Sequence, residues 1–204
     1  MSLVFPAPAP VTLPVAGGGS FPVHRIYCVG RNYAEHAQEM GFSGREPPFF
    51  FMKPNDALVP VAAGETGTIA YPSLTANLHH EVELVVALGP GGRIFGHAVG
   101  LDMTRRDLQG EMKKQGRPWE IGKAFEQSAP IGPIVPVEAT GALDAGAITL
   151  DVNGQRRQAG DLKELIWNVA ETLEKLAEAW TLQPGDLVFT GTRSEEHTSE
   201  LQSL

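Results

Sequence analysis

The chain has 204 residues, of which 42% are hydrophobic and 20% charged, a balance that suits one globular domain of ordinary composition. A net charge of −8 without a basic stripe argues against nucleic acid as a partner, and no apolar run approaches the roughly 18–20 residues of a membrane span. The N-terminus lacks a basic region followed by an apolar segment, so no signal peptide is expected, and the single cysteine, Cys28, makes a reducing cytoplasm the simplest home.

Residues 1–23 are rich in Pro, Ala and Gly and are expected to form a leader that lies along the body with little regular structure. Residues 24–30 read as a short buried strand, Gly30-Arg31-Asn32 as a turn, and residues 33–40 as a helix stopped by Gly41. Phe49-Phe50-Phe51-Met52 is a dense apolar strand closed by Lys53-Pro54, and residues 54–78 read mostly as turns and loop. Gly89-Pro90-Gly91-Gly92 makes a turn, after which residues 95–101 return as a strand that delivers Asp102. Thr104 or Asp102 is expected to cap a helix running to about Lys114. Asn153-Gly154 marks a hairpin. Asp161 with Glu164 resembles a capping box, followed at helical spacing by Leu165, Ile166, Val169, Leu173, Leu176 and Trp180. Pro184-Gly185-Asp186 turns into a last strand, Leu187-Val188-Phe189-Thr190. Many short strands with few helices predict an α+β, β-rich fold of non-local pairings and not a doubly wound sheet.

The stretch with most chemical content is His79-His80-Glu81-Val82-Glu83-Leu84-Val85-Val86-Ala87-Leu88. Val82, Leu84, Val86 and Leu88 make one apolar face of a strand, and His79, Glu81 and Glu83 fall on the other. Two carboxylates two residues apart on one strand face sit roughly 6.5–7 Å apart at the backbone. Near a core they repel and lose hydration, so a cation between them is expected, and oxygen ligands without cysteine favour Mg²⁺, Mn²⁺ or Ca²⁺ over zinc. The plainer reading is a half-exposed strand carrying two solvated Glu. His36 and Glu39 are three apart on one face of the predicted helix, where a carboxylate orients an imidazole for base catalysis; exposed pairs at this spacing also occur without function. Asp102 stands at a strand end, and Arg105 and Arg106 follow with guanidinium groups suited to carboxylates, or simply on a solvated helix face. Lys123 is embedded in Trp119-Glu120-Ile121-Gly122-Lys123-Ala124-Phe125, where it either snorkels or points inward at an anion.

In order, Val29-Gly30-Arg31-Asn32-Tyr33, His79-His80-Glu81-Val82-Glu83, Leu101-Asp102-Met103-Thr104, Gly122-Lys123 and Phe189-Thr190-Gly191-Thr192 resemble the fumarylacetoacetate hydrolase (FAH) family, most closely its bacterial fumarylpyruvate and acylpyruvate hydrolases. The resemblance spans residues 21–192 and implies a mixed β-roll with a few helices, usually dimeric. It implies that Glu81, Glu83 and Asp102 hold Mg²⁺ or Mn²⁺, that His36 and Glu39 activate water, and that Lys123 stabilises an oxyanion. It places Arg31, Arg106, Gln109 and Thr192 against a small 2-oxo or 2,4-dioxo acid substrate. The activity implied is metal-dependent cleavage of a carbon–carbon bond in an acylpyruvate, releasing pyruvate, within aromatic-acid catabolism. Within the family the alternative is isomerisation, tautomerisation or decarboxylation of a 2-oxo dicarboxylate of the oxaloacetate or hydroxymuconate type. Two departures support a further alternative, an inactive fragment. The link from Glu81 to Asp102 is shorter than the family's, permits an antiparallel hairpin but not a parallel crossover, and is expected to displace Asp102. The domain of residues 24–192 stops where the family continues with a Pro/Gly-rich loop and further strands, and residues 193–204 resemble the in-frame translation of a sequencing adapter.

Overall fold

The apolar residues of this chain come in runs short enough for strands, and those runs are rich in Val, Ile and Phe, so they pair into sheet rather than coil into long helices. The computed structural model describes residues 3–33 and 45–192. Its strands, in chain order, are β1 (Thr12–Pro14), β2 (Ser20–Pro22), β3 (Ile26–Gly30), β4 (Phe49–Lys53), β5 (Leu58–Pro60), β6 (Leu78–His79), β7 (Val82–Leu88), β8 (Ile94–Leu101), β9 (Thr104–Arg105), β10 (Ala129–Ile131), β11 (Val135–Pro136), β12 (Ala147–Val152), β13 (Gln155–Asp161) and β14 (Leu187–Phe189). The helices are α1 (Arg106–Gln115), α2 (Glu120–Lys123), α3 (Val137–Thr140) and α4 (Val169–Ala179). Tyr33, the first residue of the expected helix, instead makes an antiparallel bridge with Leu165; the rest of that helix, residues 34–40 with His36 and Glu39, and the tail of residues 193–204 lie outside the described residues.

One mixed sheet organises the rest, in the order β4-β3-β14-β7-β8-β10-β5, with β11 also paired to β8. The final strand β14 inserts between β3, to which it is parallel, and β7, to which it is antiparallel. Period-2 alternation then sends Ile26, Cys28, Val85, Ala87, Leu187 and Phe189 to one apolar layer. Tyr27, Val29, Leu84, Val86, Leu88 and Val188 go to the other, where α4 covers them with Val169 and Leu176. β7 is therefore buried along its whole length, and the half-exposed strand reading does not hold.

Several expectations change once the tertiary packing is known. The leader is not without structure: β1 and β2 form an antiparallel hairpin that lays Leu13 and Phe21 on the first apolar layer. Full burial of such side chains stabilises by roughly 1.5–3 kcal/mol each, enough to order a Pro- and Gly-rich segment at those points. Residues 54–78 include β5, which adds to the sheet edge parallel to β10. The predicted continuous strand from His79 breaks after β6, which pairs with β9, and restarts at Val82. Neither Asp102 nor Thr104 caps α1; Arg105 stands at its N-cap and makes no side-chain capping bond, and Gly116 closes it in the left-handed conformation.

The capping box of Asp161 and Glu164 exists, but it closes a single 3₁₀ turn over Leu162–Glu164. The long helix starts later, with a second capping box formed by Asn168 and Glu171. Leu165 and Ile166 stay outside the helix because Asn32 holds the segment that follows the 3₁₀ turn: its carbonyl accepts from Ile166 N at 2.9 Å, and its amide both donates to Trp167 O at 2.9 Å and accepts from Trp167 N at 2.8 Å. Asn153-Gly154 does turn the hairpin of β12 and β13, with both residues at positive φ.

Candidate active site and metal centre

The hairpin register places the carboxylates. β7 and β8 pair antiparallel with Val82 opposite Leu101, so the next residues outward, Glu81 and Asp102, face each other at the open end. Asp102 N donates to Glu81 O at 2.8 Å. Glu83, two residues into β7, projects to the same side, and the short link does not displace Asp102. Ligand oxygens of Glu81, Glu83 and Asp102 all lie within 4.8 Å of one another. Three acidic groups at this separation, with oxygen donors only, match the requirement of a hard divalent cation.

Cations surround the carboxylates. Lys123 Nζ lies 2.6 Å from Glu81 Oε2, 2.7 Å from Asp102 Oδ2 and 2.7 Å from Thr104 Oγ1. Arg106 pairs with the other Glu81 oxygen and also donates to Gln109 Oε1. Lys53 Nζ sits 2.8 Å from Asp102 Oδ1 and donates to Ser128 Oγ at 3.0 Å, so Asp102 is gripped from behind as well. Gly191 N donates to Glu83 Oε2 at 2.8 Å. Gly122 lets α2 approach α1, because a Cβ there would lie 2.8 Å from Gln109 N.

These surroundings divide the two glutamates. Burial alone raises the Glu81 carboxyl, but Lys123 and Arg106 outweigh it and hold the group well below its ordinary value. Burial, together with the charges of Asp102 and Glu81, pushes Glu83 well above it. Lys123 would be lowered by burial, yet Asp102 and Glu81 raise it, so it stays protonated.

The carboxylates open into a cleft of about 300 Å³ whose walls include Arg31, Arg106, Gln109, Lys113, Trp119, Lys123, Gln158 and Thr192. Gln158, on β13, accepts from Val82 N at 2.8 Å and donates to Thr192 Oγ1 at 3.1 Å, joining the β12–β13 hairpin to the cleft floor. Arg31, at φ 59°, stacks its guanidinium 5.7 Å from the Phe49 ring and 5.8 Å from the Trp119 ring.

Residues 25–202 match the family described as fumarylacetoacetate (FAA) hydrolase, C-terminal. The chain belongs to the fumarylacetoacetate hydrolase family. It is 45% identical to a fumarylpyruvate hydrolase of a Ralstonia species, over 72% of this chain and 79% of that one. To an oxaloacetate tautomerase of Escherichia coli (strain K12) it is 40% identical, over 84% of this chain and 82% of the relative. The crystal structure of a fumarylpyruvate hydrolase from Pseudomonas aeruginosa in complex with Mn²⁺ and pyruvate superposes with a TM-score of 0.90 at 57% identity, covering 94% of this chain and 87% of that one. The α+β, strand-rich architecture with few helices is that of these family members.

The structure brings together Arg31, Glu81, Glu83, Asp102, Arg106, Gln109, Lys123 and Thr192, all of which line the cleft of this family member. His36 and Glu39 lie outside the described residues. Three contributors escaped the sequence reading. Lys53 read as the end of an apolar strand, and its position after Phe49-Phe50-Phe51-Met52 was the available signal, because a charge inside such a strand needs a partner. Gln158 carries no signal in the sequence, and Gly191 stands out only as part of the Phe189–Thr192 motif, with nothing to tie its N–H to Glu83, since both act through neighbours far away in the chain.

Gly191 yields a first prediction. Its φ of +97° disfavours any side chain, and a Cβ would lie 2.8 Å from the Asn32 Cβ. Gly191→Ala is expected to cost about 1–3 kcal/mol through backbone strain and to pull the N–H away from Glu83. A thermal melt should show a fall of several degrees, and a Mn²⁺ titration weaker binding; an unchanged melt would refute the strain argument.

Proposed function

We propose that the protein hydrolyses a carbon–carbon bond in an acylpyruvate of the fumarylpyruvate type, with a divalent cation, Mg²⁺ or Mn²⁺, held by Glu81, Glu83 and Asp102, in the cytoplasm. The observation that carries this reading is the acidic triad set inside a cleft whose other charged walls are cationic. Three carboxylates collect the metal, and Arg106, Arg31 and Lys113 favour an anionic substrate beside it. The P. aeruginosa relative with Mn²⁺ and pyruvate supports the same choice of ligand class.

A bound divalent cation supplies Lewis acidity and a chelation point for the 2-oxo acid end of the substrate. The chain does the rest. Arg106, Gln109 and Thr192 orient the acid. His36, oriented by Glu39, takes one proton from water while the water oxygen adds to the distal carbonyl carbon. Lys123, kept protonated by Asp102 and Glu81, donates to the oxyanion that forms. Collapse breaks the carbon–carbon bond, its electron pair leaves with the pyruvate fragment, and a proton completes pyruvate.

A second reading, tautomerisation of oxaloacetate, is favoured by the E. coli relative, whose identity is nearly as high. Only hydrolysis needs an activated water. The Mn²⁺-loaded protein is expected to release one pyruvate per fumarylpyruvate consumed. His36→Ala is expected to reduce kcat for that reaction by about 10²–10⁴-fold. Full turnover in His36→Ala, or interconversion of enol and keto oxaloacetate without pyruvate release from fumarylpyruvate, would replace the hydrolytic reading with the second one.

A further inference from the structure

The β13 residues from Gln155 to Ala159 are exposed, with one exception: Gln158 is buried. A buried strand position ordinarily takes an apolar side chain, and an amide there costs stability unless both of its ends are bonded. Both ends are. Gln158 Oε1 accepts from Val82 N at 2.8 Å, with His80 Nδ1 3.4 Å away, and Nε2 donates to Thr192 Oγ1 at 3.1 Å.

These bonds fall where the sheet gives out. β14 serves one side of β7 as far as Leu84, whose carbonyl accepts from Thr190 N at 3.1 Å. The next residue, Gly191, turns its N–H to the Glu83 carboxylate instead of the β7 backbone. Val82 stands two residues before Leu84, so its N–H faces the same side, and there it meets Gln158. The amide therefore replaces a strand neighbour at the residue that lies between Glu81 and Glu83. It also sets the polarity of Thr192. Val82 N only donates, which fixes Oε1 toward β7 and Nε2 toward Thr192. An amide nitrogen only donates as well, so the Thr192 hydroxyl accepts there and its own proton points elsewhere.

We propose that Gln158 is a positioning residue, which holds the start of β7, and with it Glu81 and Glu83, against residues 191–192 and presents Thr192 as a hydrogen-bond donor to an anion in the cleft. It acts through those residues. The inference rests on the reading of the triad as a metal centre and of Thr192 as a contact of the 2-oxo acid. Glutamine meets both demands at once. An ionised glutamate would accept from Val82 N but would also accept the Thr192 proton, turning that hydroxyl away from the acid, and methionine would serve neither group.

Calorimetric titration with Mn²⁺, and then with pyruvate on the Mn²⁺-loaded protein, separates the two parts of the role. Gln158→Met is expected to weaken Mn²⁺ binding by about tenfold or more, the scale on which groups behind a metal ligand act. Gln158→Glu, which keeps an acceptor for Val82 N, is expected to restore Mn²⁺ affinity to at least that of the wild type. The same Gln158→Glu variant should nevertheless bind pyruvate about tenfold more weakly. Thr192→Val controls for the added charge: in that background the pyruvate loss caused by Gln158→Glu should shrink to about threefold or less. Because Gln158→Glu keeps the bond to Val82 N, the pyruvate measurement tests the role even if Gln158→Met fails to fold. Unchanged Mn²⁺ affinity in Gln158→Met, a loss there that Gln158→Glu does not rescue, or equal pyruvate losses in both backgrounds would overturn the role. A wild type that binds no Mn²⁺ would overturn the metal-centred reading and this role with it. The expected binding pattern without pyruvate release from fumarylpyruvate would leave the role standing and overturn only the hydrolytic reading.

Discussion

Lys53→Met is expected to destabilise the protein by about 3–5 kcal/mol, the cost of stripping one partner from a buried ion pair. The Lys53 side chain has no exposed surface, and that of Asp102 is 2% exposed. Lys53 Nζ also donates to Met103 O at 3.3 Å and contacts the carbonyl of Lys123. Methionine fills the space of the stem but leaves Asp102, Ser128 and two carbonyls facing an apolar sulfur. Lys123 remains beside Asp102, yet it is shared with Glu81 and cannot replace the second cation. For a domain of this size the loss corresponds to a fall in Tm on the order of 10 °C. The decisive control is a double-mutant cycle with Asp102→Asn. In that background the carboxylate no longer needs neutralising, so Lys53→Met should cost much less. Equal losses in both backgrounds would mean that Lys53 acts by packing alone.

The second large effect is a pH dependence set by Glu83. Its ordinary pKa is 4.5, and burial with the charges of Asp102 and Glu81 raises it in the folded protein. Between those two values the folded state holds a proton that the unfolded state has released. Stability without metal therefore falls as pH rises through this window. Glu81 contributes with the opposite sign and in a different window, because its folded value is lowered: its contribution is present above 4.5 and is lost only as pH drops below it. In the proposed metal centre Glu83 binds the cation as a carboxylate, so cation binding is expected to release a proton from this group and to stabilise more strongly as pH rises. Melts of the wild type with and without Mn²⁺ are expected to converge toward acid and diverge toward neutral pH. Glu83→Gln should remove the downward slope of the metal-free protein and lose most of the Mn²⁺ stabilisation. A proton release on Mn²⁺ binding that persists in Glu83→Gln would assign the titration to another group.

Most strands were legible because side-chain alternation is a local property of the chain. β3, β4, β7, β8 and β14 lie where apolar runs bounded by Gly, Pro or Asp place them. The leader hairpin was not legible, because Thr12–Pro14 and Ser20–Pro22 are ordered by the layer that Leu13 and Phe21 cover and not by propensity of their own. The start of α4 was misread for a related reason. Leu165 and Ile166 fit its apolar spacing, but Asn32, more than a hundred residues earlier, bonds Ile166 and Trp167 and keeps that segment out of the helix.

The sequence by itself determined the carboxylates on and beside one strand, the cationic residues in order after them, the family to which they belong and the strand-rich class of the fold. Those are matters of residue type and short-range period. Only the tertiary structure decided how the carboxylates are served: that β7 and β8 pair with Val82 opposite Leu101, which sets Asp102 against Glu81; that Lys53 from β4 and Lys123 from α2 neutralise Asp102 from two sides; and that Gln158 and Gly191 close the floor. Each of these is a contact between segments distant in the chain. It exists because burying charge without a partner costs several kcal/mol, so the fold that survives is the one whose register supplies every buried carboxylate with a cation or an N–H.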